Sequence, residues 1–496
     1  MNRSKCILLI LVTVGILGAS THAAPRPNIL FFLVDDMGWQ DTSVPFHVEA
    51  TRLNRMYRTP SMERLAAEGI KFTQAYASAV CSPTRVSALT GMNAARHRVT
   101  NWTLRKGISP DTKHAIVEPP AWNLNGITTQ SGVERTMQVT PLPLLLRQEG
   151  YRTIHVGKAH FGAKDTPGEN PLNLGFDVNI AGHAPGGPGS YHEKHNFSAE
   201  WRKGDRIWDV PGLEAYHGKD IFLTEALTLE AVKCIEKAVA DHKPFYLYMS
   251  HYAVHAPFEK DERFYSKYIQ AGLNEHQATY ASMLEGMDKS LGDLMDTIKR
   301  LGISQNTIIL FSSDNGSPQE NDRNLPLRGH KLNPYEGGIR VPMIVKWPGV
   351  TAPGSTCRSP VIIEDFFPTI LEMAGISWRK KVIQKVDGCS LVPYLQNIDA
   401  PALDRALVWH FPHTYGQLPF SSIRMGPYKL IHHPLDNRLE LFNIDEDISE
   451  EKNIAPAQPA KTAELSSKLT MLLKERGALM PVDKRTGKPF PFPSEN

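Results

Sequence analysis

The sequence predicts an α/β fold in which helices sandwich a mostly parallel, mixed central sheet, followed by a smaller C-terminal antiparallel sheet with one helix. Three observations support this prediction. Short continuous apolar runs, rich in β-branched and aromatic residues, are typical of buried parallel strands. Helical patterns lie between those runs, as expected when strands and helices alternate. Beyond residue 396 the pattern changes to short segments separated by turn residues.

Four apolar runs are the clearest candidates for strands of the central sheet, at residues 29–34, 153–156, 245–249 and 307–311. The helical patterns lie at residues 61–69, 142–150, 223–240, 278–301 and 368–375. Residues 162–212 are rich in glycine and proline and show little periodicity. We therefore expect them to form a long surface loop near the functional site.

The smaller sheet is predicted from segments 406–411, 420–425, 429–431 and 439–442. Gly426-Pro427 and Asp436-Asn437 separate these segments as turns. A final helix over residues 460–476 would pack against the sheet. The chain is thus divided into a signal peptide at 1–23, a catalytic domain at 24–396 and an α+β subdomain at 397–496.

Composition excludes several classes of protein. The 496 residues are 41% hydrophobic and 22% charged, which is typical of a globular chain and argues against disorder or a fibre. A formal net charge of +3 is small for this length, so no polybasic surface indicates nucleic acid or a membrane as partner. Any anion binding must be local.

The N-terminus has the layout of a cleavable signal peptide. Basic residues precede an apolar run at 7–17, and small residues precede Ala24. This run is shorter than the roughly 20 residues that a membrane span needs. We therefore expect export to the periplasm or outside the cell. The cysteines that remain are too few for a disulfide scaffold, with Cys357 and Cys389 as one candidate pair if Cys81 is reserved for chemistry.

Polar residues follow each of the four predicted strands. In open α/β sheets, functional sites form beyond the carboxyl ends of the strands. Any one of these segments alone is typical of a loop or a helix cap. Together they predict a shared site, and its components are Asp35-Asp36 after the first run, Gly157 to His160 after the second, His251 and His255 after the third, and Ser312 to Asn315 after the fourth.

Asp35, Asp36, Asp314 and Asn315 offer oxygen ligands, which suit calcium or magnesium better than zinc. Adjacent carboxylates at the end of a buried strand repel each other, and a cation is the simplest compensation. Either pair alone is equally consistent with caps and turns. We expect one divalent cation, with calcium favoured over magnesium.

Residues 81–85 read CSPTR and precede a predicted helix at 86–90. A helix N-terminus is suited to an oxyanion, and Arg85 adds positive charge there. On physical grounds alone, Cys81 could equally be an inert buried thiol.

Together with LTG at residues 89–91, this segment resembles the signature of the type I sulfatases, which belong to the alkaline phosphatase superfamily. In that family the motif cysteine is oxidised to formylglycine. Three further segments resemble the family, at residues 27–38, 157–160 and 331–342, and ELFN at 440–443 resembles its C-terminal subdomain. The resemblance implies an alkaline-phosphatase-like fold, sulfatase activity, and a formylglycine-generating or sulfatase-maturating enzyme as partner.

The resemblance also implies roles for individual residues. Cys81, as formylglycine, would be hydrated to a diol that attacks sulfur and would join the four oxygen-bearing residues around the metal. Arg85 and Lys158 would hold residue 81, and His160 would accept a proton from the diol. His255 and Lys331 would bracket the ester oxygen and neutralise or protonate the departing alcohol.

Aromatic and basic residues in loops near this site favour a sulfated carbohydrate, within a glycan, as substrate. The candidates for substrate binding are Trp102, Arg105, Arg328, His330, His410 and His413, with Trp39, His192 and His195 as further members of the set. Two alternatives stay open. One is a phosphoryl or phosphonate monoester hydrolase of the same superfamily, and the other is a non-catalytic protein that binds sulfated glycans, if Cys81 is never oxidised.

Overall fold

A computed structural model describes residues 26–318 and 323–495, so the predicted signal peptide lies outside the described residues. The strands are β1 (Asn28–Val34), β2 (Ile70–Tyr76), β3 (Val117–Glu118), β4 (Ile127–Thr128), β5 (Met137–Gln138), β6 (Arg152–Gly157), β7 (Val178–Ile180), β8 (Phe245–Ser250), β9 (Thr307–Ser313), β10 (Arg340–Lys346), β11 (Ser355–Cys357), β12 (Val361–Ile362), β13 (Ala406–Phe411), β14 (Phe420–Met425), β15 (Tyr428–His433), β16 (Arg438–Asn443), β17 (Val482–Asp483) and β18 (Lys488–Pro489). The α-helices are α1 (Arg52–Met56), α2 (Pro60–Glu68), α3 (Cys81–Thr90), α4 (Ala94–His97), α5 (Leu142–Gln148), α6 (Leu223–Ala240), α7 (Glu262–Gln270), α8 (Glu275–Arg300), α9 (Glu336–Ile339), α10 (Phe366–Met373), α11 (Val392–Gln396) and α12 (Pro459–Glu475).

The large sheet has nine strands in the order β11-β2-β10-β9-β1-β8-β6-β7, and β12 also pairs with β2. Neighbours from β9 to β7 run parallel, whereas β10 is antiparallel to both β9 and β2. The predicted mixed, mostly parallel sheet is confirmed. Its four predicted strands are the adjacent β9, β1, β8 and β6, so their carboxyl ends lie side by side.

Helices cover both faces of this sheet, as predicted. Along β1, alternate side chains enter different cores, because successive residues of a strand point to opposite faces. Phe31 packs in the core that includes α3, α5 and α10. Phe32 packs in the core that includes α2, α6 and α8.

The C-terminal antiparallel sheet is also confirmed, with strand order β13-β14-β15-β16. Helix α12 packs on it through Leu465, Leu469 and Leu473, which share a core with Ile423 and Leu430. Strands β15 and β16 extend further than the predicted segments, whereas α12 differs from its predicted bounds by one residue at each end.

A buried ion cluster joins the small sheet to the catalytic domain. Lys429 Nζ lies 3.0 Å from Glu336 Oε1 and 2.9 Å from Glu450 Oε1, and all three side chains are inaccessible to solvent. Glu450 Oε2 also accepts a hydrogen bond of 2.6 Å from the Glu336 backbone. Removing one partner of such a cluster would leave a buried charge uncompensated. The C-terminal sheet therefore supports α9, which follows the Lys331 segment.

Five strands of the large sheet were not predicted: the short β7, β11 and β12, and the longer β2 and β10. Strand β2 reads IKFTQAY and mixes buried with half-buried positions, so it lacks a continuous apolar run. Strand β10 contains Pro342, and its pairing with β2 shifts register between Val341 and Met343. Proline within a strand is tolerated at such irregularities, but it weakens the strand pattern in the sequence.

The described cysteines form no disulfide. Cys81, Cys234, Cys357 and Cys389 are free thiols, so the candidate pair of Cys357 with Cys389 is wrong. The predicted loop at 162–212 contains β7 and several short 3₁₀ turns. No helix in the described part of the chain combines the length and apolar character needed to cross a bilayer.

Candidate active site

The adjacent strand ends bring the predicted metal ligands together. Asp35 and Asp36 follow β1, and Asp314 and Asn315 follow β9, with Val34 opposite Ser313 in the parallel pairing. This register lets the Asp36 backbone N–H donate to Asp314 Oδ1 at 3.1 Å. Asp36 has a φ of 60°, a left-handed conformation that aspartate tolerates better than most residues.

Cys81 begins α3 and faces these carboxylates from a buried position. Ligand atoms of Asp35, Cys81 and Asp314 all lie within 4.8 Å of one another. Asp35 Oδ1 and Asn315 Oδ1 are buried, and neither has a hydrogen-bond partner within the described structure. Unpartnered buried oxygens are costly. The donor set therefore fits one small, hard cation.

Two buried basic groups face the same carboxylates. Arg85 donates to Asp314 Oδ2 through Nε at 2.9 Å and Nη2 at 2.8 Å, and its Nη1 donates to Ser250 Oγ at 2.5 Å. Lys158 Nζ donates to Asp35 Oδ2 at 2.6 Å. The second oxygen of Asp35, Oδ1, has no hydrogen-bond partner among the described residues, and the second oxygen of Asp314, Oδ1, accepts from the Asp36 backbone. The two basic groups therefore fix the orientation of both carboxylates.

The carboxyl groups of Asp35 and Asp36 have opposite pKa shifts. Burial, followed by the neighbouring Asp314, raises the pKa of Asp35 well above its usual value, and Lys158 offsets this only in part. Burial also raises the pKa of Asp36, but Lys331, His255 and Lys158 together outweigh it and lower the pKa below its usual value. Asp35 is thus the carboxylate that lacks sufficient positive charge from the protein itself.

Lys331 lies on the Asp36 side of the site. Its Nζ is 2.7 Å from Asp36 Oδ1 and 2.9 Å from Oδ2. Burial lowers the pKa of Lys331, but Asp36 and the other nearby acidic groups outweigh this and raise it above the usual range. Lys331 therefore carries a proton throughout the physiological range.

Two histidines each keep one ring nitrogen free for chemistry. His160 Nε2 lies 2.8 Å from the Thr103 carbonyl oxygen, which leaves the buried Nδ1 without a partner in the described residues. His255 Nδ1 lies 2.7 Å from the Ala256 carbonyl oxygen, and its Nε2 is 3.8 Å from Asp36 Oδ2. Burial lowers the pKa of His255 to about 4 and that of His160 well below its usual value. Both rings are neutral at pH 7 in this state.

The 162–212 segment lies directly against both rings. A Cβ at Gly186 would come within 2.4 Å of His160 Cε1, and one at Gly187 within 2.8 Å of His255 Nδ1. Any larger residue would displace the histidines, so these two glycines allow the loop to pack against both rings. The predicted position of this loop near the site is confirmed.

Two residues at the site, Ser250 and Thr103, were not predicted from the sequence, and one predicted residue, His251, lies outside it. Ser250, which ends β8, binds Arg85 through its hydroxyl and had a detectable signal as a polar residue closing an apolar run. Thr103 contributes only a backbone carbonyl, for which no sequence signal exists. His251 is buried against Phe32, and its Nε2 lies 2.9 Å from Ser290 Oγ, so it packs beneath the sheet and does not face the site.

His410 and His413 are removed from the candidate substrate-binding set. His410 Nδ1 lies 2.8 Å from Ser421 Oγ, and its Nε2 lies 3.1 Å from the Leu479 carbonyl oxygen. His413 Nε2 lies 2.7 Å from Thr100 Oγ1, and its Nδ1 lies 3.0 Å from Asp111 Oδ2. Both rings are buried with both nitrogens engaged, so neither is available to a substrate.

Two other candidates support the Lys331 segment. The Arg328 guanidinium lies 3.8 Å from the centroid of the Tyr335 ring and donates to the Glu450 carbonyl oxygen at 2.9 Å. His330 Nδ1 lies 2.8 Å from the Lys331 carbonyl oxygen. A contact of either residue with substrate stays a prediction.

Trp102, Arg105 and Trp39 have different surroundings. Trp102 is half-buried with its ring 5.4 Å from that of Tyr415, and Arg105 is exposed and paired with Asp205. Their contact with substrate also stays a prediction. Trp39 is 1% exposed and is covered by Arg340, so it belongs to the core.

Comparison with known protein families identifies the class of protein that has this site. Residues 27–376 match the family model described as Sulfatase. The chain belongs to the sulfatase family. Residues 330–477 match a second model, described as N-sulphoglucosamine sulphohydrolase, C-terminal. The protein is therefore a hydrolase of sulfuric esters within the alkaline phosphatase superfamily, as the sequence motifs predicted.

Similar proteins align with nearly the whole of this sulfatase. N-acetylgalactosamine-6-sulfatase from Mus musculus is 30% identical over 466 residues, which cover 92% of this chain and 81% of the relative. A protein named Sulfatase from Formosa agariphila is 28% identical over 527 residues, covering 95% and 93% of the two chains. The crystal structure of Ps i-CgsB matches with a TM-score of 0.72 and 26% identity, covering 91% of this chain and 94% of that one.

Proposed function

We propose that this sulfatase removes sulfate from a sulfated carbohydrate, within a glycan, after export to the periplasm or outside the cell. A formylglycine-generating or sulfatase-maturating enzyme converts Cys81 to formylglycine. One divalent cation, calcium in preference to magnesium, is held by residue 81 and by Asp35, Asp36, Asp314 and Asn315. The observation that carries the proposal is the pair of buried, unpartnered oxygens on Asp35, which lies beside Cys81, and on Asn315, whose amide donates to Asp36.

Charge balance at the site favours an anionic ester. The carboxylates of Asp35, Asp36 and Asp314 are matched by the basic groups of Arg85, Lys158 and Lys331. When bound, the cation supplies Lewis-acid polarisation of an oxygen and neutralises developing charge. It also makes the whole site net positive, so an incoming sulfate ester is attracted.

The remaining chemistry is assigned to side chains of this chain. The formylglycine supplies a nucleophilic oxygen once its aldehyde is hydrated. Arg85 and Lys158 orient residue 81 and the ligands, and neutral His160 accepts a proton at Nδ1. Lys331 Nζ and His255 Nε2 both lie beside Asp36, where the departing alcohol oxygen would be. His255 is neutral before substrate binds, but the negative charge of a bound sulfate ester favours its protonated form, so that His255 as well as Lys331 can stabilise or protonate that oxygen.

Two similar proteins support a carbohydrate as the alcohol. One is named for sulfated N-acetylgalactosamine, and Ps i-CgsB has a structure in complex with k-i-k-neocarrahexaose. A saccharide offers many hydroxyl groups that a polar site can bind, and unpaired polar groups in the site penalise a substrate without them.

A screen of defined substrates tests this proposal. With purified, modified protein, we expect kcat/KM for at least one sulfated mono- or oligosaccharide to exceed that for a small aryl sulfate by more than about tenfold. The physical reason is that only the saccharide satisfies the polar groups around the leaving alcohol. Sulfate release is measured by ion chromatography, with the Cys81→Ala protein as the blank.

The opposite preference would contradict the carbohydrate assignment. An aryl sulfate favoured about tenfold over every saccharide tested would do so. Faster hydrolysis of a phosphate or phosphonate monoester than of any sulfate ester would instead favour the alternative hydrolase activity.

Metal content is the second expected result. We expect one calcium or magnesium ion per chain by elemental analysis, because conversion of Cys81 removes the only sulfur from an otherwise oxygen-based ligand set. Asn315→Ala removes the unpartnered Oδ1 and is expected to lower the bound calcium, while Asn93→Ala, at a buried asparagine outside the site, is the matched control. Two ions per chain, or zinc at full occupancy, would contradict the assignment.

A further inference from the structure

We propose that Trp201 is a platform for a sugar ring distant from the cleaved sulfate, so that the enzyme recognises an oligosaccharide and not a single sugar. This inference rests on the proposed carbohydrate substrate. Trp201 is 46% exposed, whereas Trp39, Trp122 and Trp409 are each 4% exposed or less. A tryptophan side chain suits a contact surface because it combines a large apolar face with a single polar atom.

The indole of Trp201 is held in one orientation. Its Nε1 donates to the Gly189 carbonyl oxygen at 3.2 Å. The His195 ring stacks on it, with centroids 4.6 Å apart and an angle of 9° between planes. One face of the indole is therefore covered and its polar atom is satisfied, while the exposed part presents apolar surface at little further entropic cost.

The supporting histidine is itself fixed by a buried carboxylate. His195 Nδ1 lies 2.8 Å from Ser190 Oγ, and Ser190 Oγ donates to Glu259 Oε2 at 2.9 Å. Glu259 Oε2 also accepts from the Tyr191 backbone at 2.6 Å, and Glu259 is only 9% exposed. The buried Glu259 thus fixes His195 through Ser190, and His195 in turn supports the exposed indole.

The same segment is tied to the leaving-group side of the active site. Tyr191 is fully buried, and its hydroxyl oxygen lies 2.8 Å from the carbonyl oxygen of His255 and 2.7 Å from that of Tyr252. Gly187 lies against the His255 ring. Because Gly189 is two residues further on, its backbone lies within about 7 Å of Gly187 along the chain.

This geometry selects the class of ligand. The hydrogen bond from Trp201 to Gly189 and the contact of Gly187 with the His255 ring place the indole within reach of a short oligosaccharide bound at the active site. Pyranose rings present an apolar C–H face to aromatic side chains, so a sugar next to the sulfated unit fits the exposed surface of Trp201. A small aryl sulfate or a single sugar bound at residue 81 would not reach it.

The test compares substrates of different length. Trp201→Ala is expected to raise KM for a sulfated oligosaccharide by about tenfold, while kcat/KM for the matching sulfated monosaccharide stays within about twofold of wild type. Trp201→Phe keeps an aromatic face and is expected to restore most of the affinity. Leu229→Ala, at an exposed apolar residue on α6, is the control for loss of surface area alone.

The possible results separate this inference from the function on which it rests. Equal losses on both substrates, or an unchanged KM for the oligosaccharide, would overturn the platform while leaving a saccharide sulfatase in place. If wild-type protein prefers an aryl sulfate to every saccharide, both the proposed substrate and the role of Trp201 are wrong. Thermal unfolding of Trp201→Ala distinguishes either result from loss of the fold.

Discussion

Replacing Cys81 by alanine is expected to reduce sulfate release to the background of the assay while leaving the fold intact. Residue 81 begins α3, and its Sγ lies within 4.8 Å of ligand atoms of Asp35 and Asp314, so this substitution removes the proposed nucleophile from the centre of the site. Cys81→Ala removes one buried heavy atom, and we expect a stability loss of only about 1 kcal/mol. Initial rates on the best substrate and a thermal unfolding curve check both parts.

Two further variants sharpen this test. Cys234→Ala, at a half-buried thiol on α6, is the matched control and should retain full activity. Cys81→Ser, where the serine is not itself converted, is expected to accumulate a sulfated adduct, because a simple ester of serine cannot expel sulfate as an aldehyde hydrate does. Mass spectrometry of the tryptic peptide spanning 72–85 detects both the adduct and formylglycine. Activity of Cys81→Ala near wild type would contradict the mechanism.

The part of the site formed by Asp35, Lys158 and Asp314 could be predicted because each of these residues follows a strand with a strong apolar pattern. The four predicted strands are neighbours in the sheet, and parallel strands place their carboxyl ends at one edge. Asp35, Lys158 and Asp314 therefore meet although they are far apart in sequence. Strand direction and adjacency are sufficient to predict that these residues meet. Cys81 was assigned to the same site through the family motifs.

The outer part of the site could not be predicted in this way. The positions of Gly187 and Tyr191 depend on contacts with His255, and that of Trp201 on a contact with Gly189. All three residues lie in the 162–212 segment, whose sequence shows too little periodicity to predict such contacts. His410 and His413 show the complementary error. Both are polar residues near a predicted strand end. The partner of His410 is Ser421, opposite it on β14, whereas the partner of His413 is Asp111 from a distant segment, so the strand register and the folded chain are needed to show that the rings are occupied.

Removing the imidazole of His255 is expected to slow hydrolysis in a manner that depends on the leaving group. His255 Nε2 faces Asp36 at 3.8 Å, next to Lys331, where the ester oxygen of the proposed substrate would lie. A sugar alkoxide is a poor leaving group that needs a proton or a close positive charge, whereas a nitrophenolate leaves without either. We therefore expect His255→Ala to lower kcat for a sugar sulfate by about 10²- to 10⁴-fold and for 4-nitrophenyl sulfate by less than about tenfold.

A conservative variant separates this chemical role from a structural one. In the native protein His255 Nδ1 is 2.7 Å from the Ala256 carbonyl oxygen, and an asparagine amide at the same position can donate that hydrogen bond without reproducing Nε2. If His255 acts on the leaving oxygen, His255→Asn should lose as much activity on the sugar sulfate as His255→Ala. Recovery of activity in His255→Asn, or equal losses on the two kinds of ester, would assign His255 to holding the Gly187 loop. The proton would then have to come from Lys331, whose Nζ lies beside Asp36 and whose raised pKa keeps it protonated before substrate binds.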